Sequence, residues 1–131
     1  MIVVDASAVL ELLLRTKRAT RVEARLFTTG ETLHAPHLLD VEVAQVVRRY
    51  WRSGAIKADR GAQALADLLD LPIARYPHDV LLPRIWQLRL NVTAYDAAYL
   101  ALAEALRARL LTCDARLASA PGHRTRVELL A

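Results

Sequence analysis

Four carboxylates stand where an acid is costly, and together they point to one kind of chemistry. Asp5 ends the stretch MIVVD, in which three β-favouring apolar residues, Ile2 to Val4, run directly into a charge. Asp114 stands in LLTCD, in the same relation to a second apolar run, Leu110 to Thr112. Glu42 lies in PHLLDVEVAQVV, where at 100° per residue its neighbours are Leu38, Leu39 and Val46, with Arg49 a turn further on. Asp96 lies in NVTAYDAAYLALAEAL and shares a helical stripe with Leu100 and Ala103. Each has a structural alternative. Glu42 could pair with Arg49 or face water. Asp96 could complete a box with a Thr93 N-cap and gain from the helix dipole, and Asp114 could simply cap a short helix.

Taken as a set, two acids follow strands and two sit on helices that can pack against the same end of the sheet. Converging carboxylates repel, so such a cluster calls for a cation. Oxygen ligands with no imidazole or thiolate among them suit Mg²⁺ or Mn²⁺. A carboxylate site holding such ions is suited to driving water onto a phosphodiester. Competing sites are weaker. His34 and His37 flank Pro36 and read as surface or cap residues rather than zinc ligands. Cys113 is the only thiol, and neither a glycine-rich phosphate loop nor a G-x-S-x-G elbow occurs. An aspartyl-phosphate enzyme of the haloacid dehalogenase type would want a second Asp at position 7, where Ser7 stands. Asp40, two residues before Glu42, falls on a different helix face.

These acids must be positioned by an alternating series of elements. The pattern predicts a strand at 2–5, a helix at 7–15 capped by Ser7, and a helix at 19–28 closed by Gly30. It continues with a strand at 32–35 and a long, largely buried helix opened by Pro36 and stopped by Gly54 after Ser53. There follow a helix near 58–70, a strand at 73–76, helical segments near 79–90 and 94–109, a strand at 110–112, a turn of helix and a strand at 125–129. Short apolar strands alternating with helices mean an α/β fold with a mostly parallel sheet.

The 131 residues fit one domain with no repeat or linker, and 54% hydrophobic content excludes disorder. No apolar run is long enough to span a membrane, and Asp5 and Glu11 interrupt any signal-like segment. With one cysteine, the expected location is cytoplasmic. The formal charge is +4, carried by 16 Arg and only 2 Lys. Arginines cluster at 15–25, at 48–52, and at Arg124 and Arg126, which suits polyanionic or acidic partners.

MIVVDASAVLELL, APHLLDVEVAQVVRR, LNVTAYDAAYLALAEAL and LLTCDARLA resemble PIN-domain ribonucleases, and more narrowly VapC toxins of bacterial toxin–antitoxin pairs. The resemblance runs the whole chain and is strongest at the opening D-x-S-A and at T-A-Y-D-A-x-Y-x-A-L-A. It implies a single PIN domain over 1–131, a three-layer sandwich with helices on both faces of the sheet. It also implies an acidic quartet at Asp5, Glu42, Asp96 and Asp114, with Asp5 and Asp96 as principal Mg²⁺ ligands and the small hydroxyls Ser7 and Thr112 nearby. The implied protein is an endoribonuclease toxin with an RNA substrate, a cognate antitoxin and a homodimeric assembly. The segment 15–28 is the candidate for lining the antitoxin groove. The alternatives are a non-catalytic PIN-like module binding RNA or protein, and a DNA or structure-specific nuclease with the same site.

Overall fold

The computed structural model describes residues 1–130. Five parallel strands form one sheet: β1 (Ile2–Val4), β2 (Leu33–Pro36), β3 (Ile73–Tyr76), β4 (Arg109–Thr112) and β5 (Val127–Leu129), in the spatial order β3-β2-β1-β4-β5. The chain therefore builds outward from β1 in one direction through β2 and β3, then returns to β1's other edge for β4 and β5. That reversal opens a crevice beyond the carboxyl ends of β1 and β4, where open α/β sheets bind ligands.

Strand alternation divides the core in two. Ile2, Val4, Leu33, Ala35, Ile73 and Leu111 face a layer made of α1 (Ala6–Leu13), α2 (Ala19–Leu26), α3 (Leu38–Arg52) and α4 (Ala58–Asp70). Val3 and Leu110 face the opposite layer, made of α5 (Leu82–Gln87), α6 (Ala94–Leu106) and α7 (Ala115–Ala118). The expected three-layer α/β architecture is the observed one. α6 is the most buried helix, with seven consecutive buried residues from Ala97 to Ala103. It can be apolar on nearly every side because small alanines let it sit close to the sheet.

Several boundaries differ from expectation, each for a local reason. Pro36 ends β2 instead of opening α3, a strand-end position where its missing N–H costs little, and His37 takes the N-cap position. Asp5 caps α1 rather than Ser7: its carboxylate accepts the N–H of Ala8, and Ser7 becomes part of the helix. The segment near 79–90 is a 3₁₀ turn at Asp79–Leu81 followed by the short α5. α6 stops at Leu106 because Arg107 turns into the left-handed region (φ 52°), so β4 begins at Arg109. The long helix is also less buried than its composition suggests. Only Leu39, Val43 and Val47 are enclosed, while Val41 is 68% exposed. His34 departs the other way: it is buried, with Thr32 and Tyr76 on its two ring nitrogens.

The buried face of α6 anchors the residues that this helix holds over the crevice. Truncating Leu100, fully enclosed there, to Ala is expected to cost about 2–5 kcal/mol, measurable by denaturant unfolding.

Candidate metal-dependent nuclease site

Asp5 is the best-held group at the crevice and is only 5% exposed. Its Oδ1 accepts from the Ser7 hydroxyl (2.7 Å) and the Ala8 N–H (3.1 Å), and its Oδ2 accepts from the Thr112 hydroxyl. Each hydroxyl also accepts a backbone N–H from the segment after β4: Cys113 to Ser7 (2.9 Å) and Asp114 to Thr112 (2.9 Å). Asp5 thus fastens the end of β1 to the end of β4 through two side chains. Burial nevertheless outweighs these three hydrogen bonds, and with some repulsion from Asp114 it pushes the Asp5 carboxyl up to about 6.

The other acids arrive from separate elements. Glu42, on α3, accepts a 2.5 Å hydrogen bond from the Tyr99 hydroxyl of α6, and no ion pair joins it to Arg49 among the described residues. Burial, and then the charge of Asp96, raise its pKa. Asp96 takes up its expected place in the first turn of α6, where its N–H donates to Thr93 Oγ1 (3.2 Å). Only that half of the box forms. No hydrogen bond holds the Asp96 carboxylate among the described residues, so it is left in the cleft, with its pKa raised by burial and by Asp114. Asp114 caps α7 through Arg116 N–H (2.9 Å), the structural role expected of it, and faces the same cleft. Asp40 lies elsewhere, paired with Arg75 at 2.8 Å.

All four acids and Ser7 line one cleft of about 510 Å³, while Thr112 lies buried behind it. Tyr95, Gln45, Arg49 and Arg116 stand on its walls as well. Sequence reasoning did not single out Tyr99 or Tyr95. Tyr99, three residues after Asp96, shares its helix face, and that spacing was the available signal. None of residues 15–28 lines the cleft; Arg25 of α2 is instead tied to Glu128 on β5 at 2.6 Å.

Among the described residues, no three His, Cys, Asp or Glu side chains lie close enough to clasp one ion as they stand. The acids ring the cleft rather than meet at a point. The donor set itself fits a hard divalent cation: every ligand is a carboxylate oxygen, and three of the four bind protons more tightly than usual, chiefly because they are buried and secondarily because another acid lies near. Cys113 is a poor competitor, because burial lifts its thiol to about 11.

The PIN domain family pattern matches residues 2–122. Ribonuclease VapC12 of Mycobacterium tuberculosis is 44% identical over 131 residues, covering all of both chains. Among solved structures, the crystal structure of M. tuberculosis VapC20, described as a sarcin-ricin loop cleaving toxin, superposes with a TM-score of 0.68 at 15% identity, over 91% of this chain and 94% of that one. A toxin–antitoxin complex from Klebsiella pneumoniae gives 0.65 at 17% identity, over 91% of each.

Burial of Asp5 makes a signed pH prediction. Its carboxyl holds a proton more tightly folded (about 6) than unfolded (3.8), so the stability this confers is complete below pH 4 and lost as pH rises through 6. The difference corresponds to about 3 kcal/mol. In EDTA, Asp5→Asn is expected to gain about that much relative to wild type between pH 4 and pH 7. A gap that does not change with pH would show that Asp5 ionises freely.

Proposed function

The chain belongs to the PIN domain family, and from that premise we propose that it is a Mg²⁺- or Mn²⁺-dependent endoribonuclease toxin, acting in the cytoplasm and held in check by a cognate antitoxin. The observation that carries the reading is the convergence of Asp5, Glu42, Asp96 and Asp114 on one cleft at the reversal point of the sheet. Close relatives named as ribonucleases support the reaction class, and a structural neighbour solved as a toxin–antitoxin complex supports the partner.

Asp5 and Asp96 are the principal ligands in this reading, with Glu42 and Asp114 completing the site. A divalent ion bound there would lower the pKa of a water and neutralise charge on the scissile phosphate. The chain's own residues do the rest. Ser7 and Thr112 fix the Asp5 carboxylate with both its oxygens engaged. Tyr99 holds one oxygen of Glu42 and leaves the other for a ligand or a water. Arg49 and Arg116 at the mouth offset the repulsion that four acids exert on an incoming polyanion, giving the flanking phosphates a cationic border. Tyr95, 61% exposed beside Asp96, offers a ring on which a base can stack.

Exposed apolar side chains supply surface for the protein partners. Val41 stands at the cleft, and Trp86 and Leu90 lie on and just after α5. The proposed assembly is a homodimer with the antitoxin lying across the active-site side. Light scattering should give twice the chain mass at micromolar concentration; a stable monomer would contradict the dimer.

Asp96→Asn separates the metal role from a capping role. As a ligand, Asp96 adds repulsion to the metal-free site, so the variant should melt at or above the wild-type temperature in EDTA. It should gain less from added Mg²⁺ and cut RNA slower by orders of magnitude. As a mere first-turn acid, it should cost about 0.3–1 kcal/mol and leave cleavage intact. Cys113→Ser should leave cleavage nearly unchanged, since the hydrogen bond to Ser7 comes from the backbone N–H.

A further inference from the structure

A second large cavity lies at the other end of the sheet from the acids. About 680 Å³ in volume, it is lined by Glu104, Arg107, Arg109, Arg124 and Arg126 among others. Its charge is only partly compensated. Glu104 is taken by Arg84, whose Nε lies 2.9 and 3.0 Å from its two oxygens. Arg109 shares Glu128 with Arg25. Arg107, Arg124 and Arg126 have no acidic partner among the described residues, and all three are exposed.

Two further features mark the place. Arg107 caps α6 in a left-handed conformation (φ 52°), which turns the chain toward β4 at the cavity wall. Between Arg124 and Arg126, the Thr125 hydroxyl is bonded to the Leu100 carbonyl at 3.2 Å, which pins the segment carrying both arginines to α6. No aromatic side chain lines the cavity, so nothing there can stack a base. The chemistry is that of phosphate recognition without sequence readout.

We propose that this cavity is a second RNA-binding site, which holds the phosphate backbone of the substrate strand beyond the cleaved segment. The proposal rests on the ribonuclease reading above. α6 joins the two sites: Asp96 is in its first turn and Arg107 follows its last, a span of about 17 Å at 1.5 Å per residue. That is the length of about five stacked nucleotides at 3.4 Å each. The chain from α7 to β5 links the same two places, from Arg116 at the acidic mouth to Arg124 and Arg126 at the basic cavity. A strand anchored at the basic end is kept near a cleft whose own charge would repel it.

The test measures binding separately from cleavage. Wild type, Arg124→Gln/Arg126→Gln and Arg107→Gly are titrated in EDTA with a labelled single-stranded RNA of about 20 nucleotides, at several salt concentrations, and melted as a check on folding. Arg107→Gly relieves backbone strain and should melt no lower than wild type. Both variants should bind about tenfold more weakly or worse at low salt, with the salt slope flattened by about 0.7 per arginine removed. Cleavage of an RNA of about four nucleotides, too short to reach the cavity, should keep its wild-type kcat/KM. Unchanged affinity and slope would overturn the second site while leaving the nuclease reading intact, and so would absence of RNA binding by wild type. Loss of glutamate-rich peptide binding in the variants, with RNA binding unchanged, would overturn it in favour of an acidic protein partner. Weakened RNA binding in the variants, alongside a wild type that cuts no RNA, would uphold this site and refute the nuclease.

Discussion

The structure turns on one unfavourable arrangement: a carboxylate, Asp5, buried at the carboxyl end of β1 beside a cleft that three further acids line. Asp5 carries most of the burden. It is buried and anchored by two hydroxyls and a backbone N–H, and its carboxyl is still pushed up to about 6, because three neutral donors do not replace the water it has lost. A fold selected for stability alone would place an apolar or neutral residue there. The same donors leave Asp5 no rotational freedom, so the strain is held in one geometry rather than relieved by movement.

The sheet order supplies the place for that strain, and the two helical layers supply the rest of the ring. Because the chain reverses direction at β1, the loops after β1 and β4 leave the sheet on opposite faces, and α3 and α6 approach the crevice from opposite layers. The Tyr99–Glu42 hydrogen bond is where those layers meet over the site. Positive charge is segregated by the same topology. Arg49 and Arg116 border the acids, while the uncompensated arginines gather at the far end of α6, where their field attracts a polyanion without neutralising the acidic cleft.

Much of this was legible in the sequence, for identifiable reasons. Strand 2–4 and Asp5 could be read because an apolar β-branched run followed by an acid is a local pattern. Gly54 marked the end of α3 because it takes a positive φ of 84° just past the helix. What was not legible depends on contacts across the chain. His34 is buried because Tyr76, 42 residues later, closes over it. α3 was expected to be more enclosed than it is, because counting apolar residues does not reveal that Val41 faces the cleft rather than the core. None of the arginine-rich 15–28 segment lines the acidic cleft, and the pairing of its Arg25 with Glu128, 103 residues away, is not a local signal. Tyr99 as the partner of Glu42 likewise follows from helix packing and not from either local motif.

The central claim, that the four acids form a divalent cation site and not merely a set of caps, is tested most directly by calorimetric titration of Mn²⁺ into the protein at pH 6, in two buffers of different ionisation enthalpy. At that pH the Asp5 carboxyl is partly protonated, and a ligand must shed its proton to bind. The account predicts saturable binding with proton release in the wild type, and weakened binding with less proton release per ion bound in Asp5→Asn. Binding that is absent, or that carries the same proton release in both proteins, would contradict it.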